Sequence, residues 1–174
     1  MRAPTVTLGV LLALPGPAGA CAPVRRGTRV PHGRGRLQGR LLRIVLDTNV
    51  LLAAFATHGL CEALLEACLV GHDLVTSEHI LDEFQRNLTG KFRIPARRAS
   101  ELVAFVREHA EKVVPAAPPA SVPADVEDLP VLGTAVAGRC DLLVTGDAEL
   151  VALGSIEGIP IVTPRDCYER LVEK

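Results

Sequence analysis

Acidic side chains adjoin four apolar segments of this chain, and their spacing limits the chemistry that they could perform. Asp47 directly follows a short aliphatic run, and Asp147 is the third residue after another. Glu83 and Asp128 lie in segments with helical periodicity. Carboxylates that are brought together repel one another unless a cation holds them, and their oxygens favour hard ions such as Mg²⁺ or Mn²⁺. The four acids therefore indicate a divalent-metal site, provided that the fold places them at one edge.

Each acid also has an ordinary structural explanation. Asp is a common residue before the first turn of a helix, and for Asp47 taken alone this explanation is the better one. Asp147 follows a glycine and would suit a turn, while Asp128 would be stabilised by the dipole at a helix start. Glu83 would suit a solvated helix face. The metal hypothesis depends on all four acids meeting.

The apolar segments predict a sheet that could bring these acids together. The apolar run from Ile44 to Leu46 does not alternate with polar residues, which is typical of a parallel strand buried on both faces. We expect one α/β domain of three layers, with a central parallel sheet of about four to five strands flanked by helices. The carboxyl ends of parallel strands lie at the same edge of a sheet, and open α/β sheets bind their ligands at that edge. The further predicted strands span residues 73–76, 113–114, 141–145 and 159–162, the last at an edge of the sheet because of its proline.

Length, composition and charge restrict the class of protein. A chain of 174 residues is long enough for one domain with a sizeable core, and that core must be aliphatic because the sequence has four Phe, one Tyr and no Trp. Residues 41–174 contain 12 Lys and Arg against 20 Asp and Glu, a net charge of −8. This acidity disfavours a general duplex-DNA binder. The four cysteines of this part lack a Cys-x-x-Cys pair, which favours reduced thiols over zinc.

Residues 1–41 are predicted to be a leader, and residues 42–174 the domain. The leader has seven Arg and no acid. The apolar run from Val6 to Leu14, followed by small residues up to Cys21, imitates a secretory signal peptide or a lipoprotein cleavage site. Both features are weak, because Leu14 is followed at once by proline and Ala18 stands where a lipoprotein needs leucine. Disorder or translation from a mis-set start codon explains the segment better, so we expect a cytoplasmic protein.

Four stretches of the chain resemble the motifs of the PIN-domain family, in the family's order and spacing. This family comprises metal-dependent ribonucleases, including the toxins of many bacterial type II toxin–antitoxin pairs. The resemblance extends over about residues 42–172, and the Thr-Gly-Asp triplet is usual in the bacterial toxin branch. The matching stretches are residues 44–50, 77–84, 125–132 and 142–147.

By this resemblance the family's acidic quartet falls on Asp47, Glu83, Asp128 and Asp147. It also gives Asn49 the position of a polar site residue, and Thr145 that of a hydroxyl supporting the last acid. Two departures matter. Asp125 and Glu127 flank Asp128, so either could take its place. Gly133 and Thr134 stand where the family's helix usually has alanines, which we interpret as a matter of packing.

The resemblance implies hydrolysis of RNA phosphodiester bonds with one or two Mg²⁺ or Mn²⁺ ions. Asp47, Asp128 and Asp147 would be the metal ligands, and Glu83 would act through water. The implied partners are the RNA substrate, a cognate antitoxin and a second copy of the chain in a homodimer, without a membrane. Five basic residues that follow the Glu83 segment could contact the RNA backbone or could form a solvated face. They are Arg86, Lys91, Arg93, Arg97 and Arg98.

Three alternative kinds of protein share parts of this pattern. A haloacid dehalogenase-like phosphatase also begins with a strand that ends in Asp, but it needs a second acid where this chain has Asn49, and a lysine after a later strand. A receiver-type phosphoacceptor needs the same lysine, and none of the three lysines of this chain follows a predicted strand end. A PIN fold kept as a non-catalytic binding scaffold would be free to lose the four acids, and here all four are present.

Overall fold

A computed structural model of the chain describes residues 41–117 and 129–172. Six strands form one sheet in the order β3-β2-β1-β4-β6-β5. All neighbours pair in parallel except β5, which is antiparallel to β6. The prediction of an α/β domain around a mostly parallel sheet is confirmed. The strands are β1 (Arg43–Leu46), β2 (Asp73–Thr76), β3 (Ala110–Lys112), β4 (Leu142–Val144), β5 (Ser155–Ile156) and β6 (Ile159–Val162).

Helices connect and flank the strands. Ile44 and Val45 of β1 are fully buried, as expected of a central strand covered on both faces. In the described residues, no single helix is long and apolar enough to cross a bilayer, although α1 and α2 together pass that test with a bend of 106° between them. The helices are α1 (Thr48–Ala56), α2 (Leu60–Gly71), α3 (Glu78–Gly90), α4 (Ala96–His109), α5 (Leu129–Ala137), α6 (Ala148–Ala152) and α7 (Pro164–Val172).

Local sequence explains where several helices begin. Ser77 precedes α3, and its side chain accepts a hydrogen bond from the Ile80 N–H. The Thr163 hydroxyl accepts the Asp166 N–H at 3.1 Å, so it caps α7 ahead of a proline at the first helical position. The apolar face of α3 is wholly buried, as its spacing predicts. That face fixes which way the rest of α3 points, including Glu83.

The third strand lies earlier in the chain than predicted. Ala110–Lys112 pairs with Leu74–Thr76, whereas the sequence suggested Val113 and Val114. Val114 is 86% exposed. The backbone explains the difference, because α4 runs directly into β3 and the Val113 N–H donates to the Thr76 carbonyl at the strand end. Pairing with β2 therefore outweighs the β-branched side chains.

Residues 159–162 are not the edge strand that Pro160 suggested. Strand β6 lies between β4 and the two-residue strand β5. The hairpin between β5 and β6 turns at Glu157 and Gly158, both with positive φ. A two-residue strand has too few positions for alternation, so hydrophobic patterning could not reveal β5.

The order of the strands creates a switch point between β1 and β4. The chain moves from β1 to β2 and β3 on one side, and then returns to place β4 on the other side of β1. Open α/β sheets bind ligands where the carboxyl ends of such strands diverge. Asp47 and the triplet Thr145-Gly146-Asp147 follow these two strands. The two stretches that the sequence singled out therefore meet at the switch point.

Candidate active site

Asp47 occupies the position of a helix cap but does not act as one. It precedes α1, yet its side chain makes no capping hydrogen bond. Its Oδ2 atom instead accepts a hydrogen bond from the Thr145 hydroxyl at 2.8 Å. Asp47 is only 6% exposed. A buried carboxylate directed at the neighbouring strand end is unusual for a cap residue, so the ordinary explanation does not hold for Asp47.

The Thr145 hydroxyl connects the ends of β1 and β4. It donates to Asp47 and accepts the Asp147 N–H at 3.0 Å. A hydroxyl has one proton, so accepting from the amide leaves that proton for the carboxylate. Thr145 is fully buried, and its hydrogen bonds are therefore shielded from water. The threonine fixes Asp47 against the backbone of Asp147.

Asp147 does act as a helix cap, in addition to lying at this edge. Its Oδ1 atom accepts the N–H groups of Glu149 at 2.7 Å and Leu150 at 3.1 Å, at the start of α6. Its Oδ2 atom makes no hydrogen bond within the described part of the chain. Asp147 is half-buried. Capping uses Oδ1 of Asp147, and so Oδ2 could bind a ligand.

Glu83 is connected to the same edge by Thr48. The Thr48 hydroxyl donates to Glu83 Oε2 at 2.8 Å, and Thr48 is fully buried. Glu83 is half-buried in the second turn of α3. Thr48 is the first residue of α1 and directly follows Asp47 in the chain. Its hydrogen bond therefore holds the Glu83 carboxylate at the N-terminus of α1, the helix that Asp47 precedes. Glu83 is therefore not the freely solvated residue that the ordinary explanation assumed.

The remaining predicted site residues are arranged less tightly. Asn49 is exposed in the first turn of α1. Asp128, with its neighbours Asp125 and Glu127, lies outside the described residues, so the choice among these three stays a prediction. Within residues 41–117 and 129–172, no group of three or more His, Cys, Asp or Glu side chains could hold a metal ion. The proposed set of three ligands thus includes a residue whose position is not described.

The basic residues after Glu83 separate into two groups. Arg97 and Arg98 lie on α4, and both form ion pairs with Glu101, at 3.3 Å and 2.9 Å. Among the residues that the structure covers, Arg86, Lys91 and Arg93 are exposed and form no ion pair. The second group therefore provides three exposed cations on or near α3.

The cysteines behave as buried structural thiols. Cys68, Cys140 and Cys167 are buried and free, and Cys61 is partly buried. Burial raises the pKa of the Cys140 and Cys167 thiols to about 12, and it also raises the pKa of Cys68 and Cys61. Protonated thiols are poor nucleophiles and poor metal ligands. The described cysteines are therefore unsuited to catalysis.

Comparison with known proteins identifies the family. The family model described as PIN domain matches residues 43–149, which is more than half of the chain. The chain belongs to the PIN-domain family. The matched region begins with β1 and ends just beyond Asp147, so it contains every acid of the predicted quartet. PIN domains are generally nucleases.

A solved structure shares the fold. The crystal structure of VapBC2 from Rickettsia felis bound to a DNA fragment from their promoter contains a chain that is similar to this PIN domain, with a TM-score of 0.52 and 15% sequence identity. The match covers 70% of this chain and 98% of that chain. At this identity the likeness concerns the fold. A search of curated proteins gave no match.

Two buried threonines of this PIN domain escaped the sequence analysis as site residues. Thr48 enters that analysis only within the matching stretch of residues 44–50, and Thr134 only as a matter of packing. The signal that could have found them is a hydroxyl side chain inside an otherwise apolar helical segment. Such a residue is buried with the segment, and a buried hydroxyl needs a hydrogen-bond partner.

Proposed function

We propose that this PIN domain is a divalent-metal-dependent ribonuclease that hydrolyses RNA phosphodiester bonds and serves as the toxin of a type II toxin–antitoxin pair. The observation that carries the proposal is the hydroxyl of Thr145, which connects the buried Asp47 to Asp147 at the switch point. Asp47 is thereby held at the carboxyl edge of the sheet, at the position where open α/β sheets bind their ligands.

The side chains at this edge fit a hard divalent cation in their chemistry. Asp47 and Asp147 offer only oxygen ligands, which Mg²⁺ and Mn²⁺ prefer, whereas burial raises the pKa of each described thiol and keeps it protonated. We assign Asp47 and Asp147 as metal ligands, with Asp128 as the third. Such a cation, when bound, lowers the pKa of a coordinated water and neutralises charge on the scissile phosphate.

Glu83 completes the site by orienting the attacking water. The Thr48 hydroxyl occupies one Glu83 oxygen, Oε2, and thereby holds the carboxylate in one orientation. The other oxygen can then accept a hydrogen bond from water, which directs the lone pair of that water toward the phosphate. Asn49, exposed in the first turn of α1, is available to contact the substrate.

The RNA backbone would lie along the exposed cations near α3. Arg86, Lys91 and Arg93 can exchange counterions for phosphates, whereas Arg97 and Arg98 are already paired with Glu101. An acidic domain that must bind a polyanion needs local positive potential. The sequence left open whether the five cations contact RNA or form a solvated face, and we propose that the first three account for most of the binding.

The proposal of an antitoxin partner rests on the fold shared with a chain of the VapBC2 complex. We propose that this PIN domain binds a cognate antitoxin, forms a homodimer and acts in the cytoplasm, where its RNA substrate is found. Residues 1–40 would not contribute to the nuclease domain.

Substitution of Asp47 by Asn tests the catalytic proposal. Asp47→Asn removes a metal-binding charge but preserves size, so RNA hydrolysis should fall by more than the roughly 100-fold that loss of an outer partner costs. Asp73→Asn is the matched control, because Asp73 is exposed at the amino end of β2, away from the switch point. Wild-type turnover in a folded Asp47→Asn protein would refute the proposal.

Thermal unfolding tests the metal site without relying on activity. Mg²⁺ or Mn²⁺ should raise the melting temperature of the wild type and of Asp73→Asn, since a cation that binds only the folded state stabilises it by mass action. The variant with both Asp47→Asn and Asp147→Asn should lose this response. If the wild type responds to metal but cleaves no RNA, the chain is a metal-binding PIN scaffold and the ribonuclease proposal fails.

A further inference from the structure

Two buried hydroxyls join helix α3 to helix α5. Ser77 precedes α3 and Thr134 lies on α5, and both residues are fully buried. Their hydroxyl oxygens are 2.9 Å apart, although the residues are separated by 57 positions in the sequence. This contact between Ser77 and Thr134 is therefore a tertiary link between two helices.

The neighbouring groups determine where the two protons lie. The Thr134 oxygen is 2.6 Å from the Pro130 carbonyl oxygen, and a carbonyl can only accept. The Thr134 proton therefore goes to Pro130, and the Ser77 hydroxyl donates to Thr134. Ser77 Oγ in turn accepts the Ile80 N–H. Each donor has an acceptor, so the link is a complete chain of hydrogen bonds from α3 to α5.

The distances show which of the two hydrogen bonds of Ser77 is the stronger one. The capping contact with the Ile80 N–H is 3.5 Å, beyond the range of about 2.7–3.2 Å that is usual for N–H···O bonds. The contact with Thr134 is 2.9 Å. Helix α5 packs against β1, β2 and β4, the central strands of the sheet. Ser77 thus ties the beginning of α3 to the centre of the domain more firmly than it caps its own helix.

We propose that Thr134 and Ser77 are positioning residues for the Glu83 carboxylate, an inference that rests on the proposed ribonuclease function. Glu83 lies six residues after Ser77 on the same helix, roughly 9 Å along its axis. A shift at the start of α3 is therefore passed on to Glu83. The hydrogen bond from Thr48 to Glu83 is 2.8 Å and tolerates little displacement. Loss of the link should misplace the carboxylate while leaving it present.

Three variants at matched positions test the role of Thr134. Thr134→Val keeps the shape and removes the hydroxyl, and Thr134→Ser keeps the hydroxyl. Thr76→Val makes the same change at a buried hydroxyl that has no hydrogen-bond partner among the described residues. We expect Thr134→Val to lower kcat for RNA cleavage by about 10- to 100-fold with little change in KM. Thr134→Ser should restore kcat, and Thr76→Val should keep it.

A double substitution separates positioning from general destabilisation. If Thr134 acts through Glu83, Thr134→Val should lower kcat much less in a Glu83→Gln background than in the wild type, since residues of one network are not additive. Amide hydrogen exchange of metal-free protein gives a readout apart from activity. Thr134→Val should speed exchange in the first two turns of α3, whereas Thr76→Val should not.

Several results would overturn the proposal. Equal values of kcat for Thr134→Val and Thr76→Val, or full additivity with Glu83→Gln, would show that Thr134 does not act on Glu83. If Thr134→Val does not fold, Ser77→Gly removes the same link while glycine keeps most of the cap stability, and the same outcomes apply to it. A wild type without metal-dependent RNA cleavage would instead refute the proposed function. In that case the exchange measurement still decides whether the link orders α3.

Discussion

Replacing Thr145 by Val should destabilise the domain by an amount that its hydrogen bonds determine. Valine preserves the shape of the side chain, so packing is retained and the hydroxyl alone is lost. That hydroxyl donates to a buried carboxylate and accepts a backbone N–H, at 2.8 Å and 3.0 Å. Bonds to charged groups contribute about 1.5–3 kcal/mol and neutral ones about 1 kcal/mol, so the loss should be about 2–4 kcal/mol.

Urea and thermal unfolding without metal measure this loss. For a domain of this size the melting temperature should fall by about 6–15 °C. Thr145→Ser should recover most of the stability because it restores the hydroxyl. Thr76→Val serves as the control, since the buried hydroxyl of Thr76 has no hydrogen-bond partner in the described part of the chain. Its unfolding free energy should change by no more than about 0.5 kcal/mol.

A double-mutant cycle with Asp47→Asn identifies the bond responsible. Once the Asp47 charge is removed, Thr145→Val should cost less than it does in the wild type, with a coupling energy of about 1–2 kcal/mol. Equal losses for Thr145→Val and Thr76→Val, or a coupling energy near zero, would refute the view that this hydroxyl holds the carboxylate.

Three further predictions concern separate parts of the site and the core. Thr48→Val should lower kcat by roughly 10-fold, because it removes the donor to the Glu83 carboxylate, and steady-state kinetics beside Thr48→Ser would check this. Lys91→Gln should weaken RNA binding at low salt more than Arg97→Gln, since Arg97 is paired with Glu101; equal salt-dependent losses in a binding assay would contradict this. The free energy of unfolding should fall as pH rises from about 9 toward 12. The reason is that unfolded thiols ionise near a pKa of about 9, whereas burial holds the pKa of Cys140 and Cys167 at about 12. Each of these thiols should lower the free energy of unfolding by up to roughly 1.4 kcal/mol per pH unit. Urea unfolding at pH 8 and pH 10.5 should show a smaller fall in the variant with Cys140→Ala and Cys167→Ala, and an unchanged fall would show that these thiols do not titrate in this range.

The central strand and the acids beside it could be predicted because the signal lies within a few consecutive residues. The buried apolar run that precedes Asp47 is typical of a central parallel strand. Because parallel strands end at the same edge of a sheet, Asp147 could be expected near Asp47. Strands β3 and β5 could not be predicted in the same way. Their positions depend on backbone pairing with β2 and β6, which side-chain patterns at the sheet edge barely record.

Hydrogen bonds across the fold were beyond the reach of sequence reasoning. Asp47 and Asp147 both precede helices, and the sequence offers each an ordinary role, a helix cap for Asp47 and a turn for Asp147. The structure separates them, because Asp147 caps α6 while Asp47 bonds to Thr145. Which oxygen meets which donor depends on the packing of elements that are distant in the chain. The same reason explains why the link from Thr48 to Glu83 was not predicted.

The pairing of β1 with β4 determines when a nuclease site could first exist during synthesis. The hydrogen bond from Thr145 to Asp47 joins residues 98 positions apart. Strand β1 therefore cannot pair with β4 until the ribosome has synthesised β4. At about 5–20 residues per second, translation leaves several seconds in which Asp47 has been synthesised but its donor has not. Chains that end before Thr145 lack the donor altogether. The proposed ribonuclease site would therefore form only after Thr145 has been made and has left the ribosome.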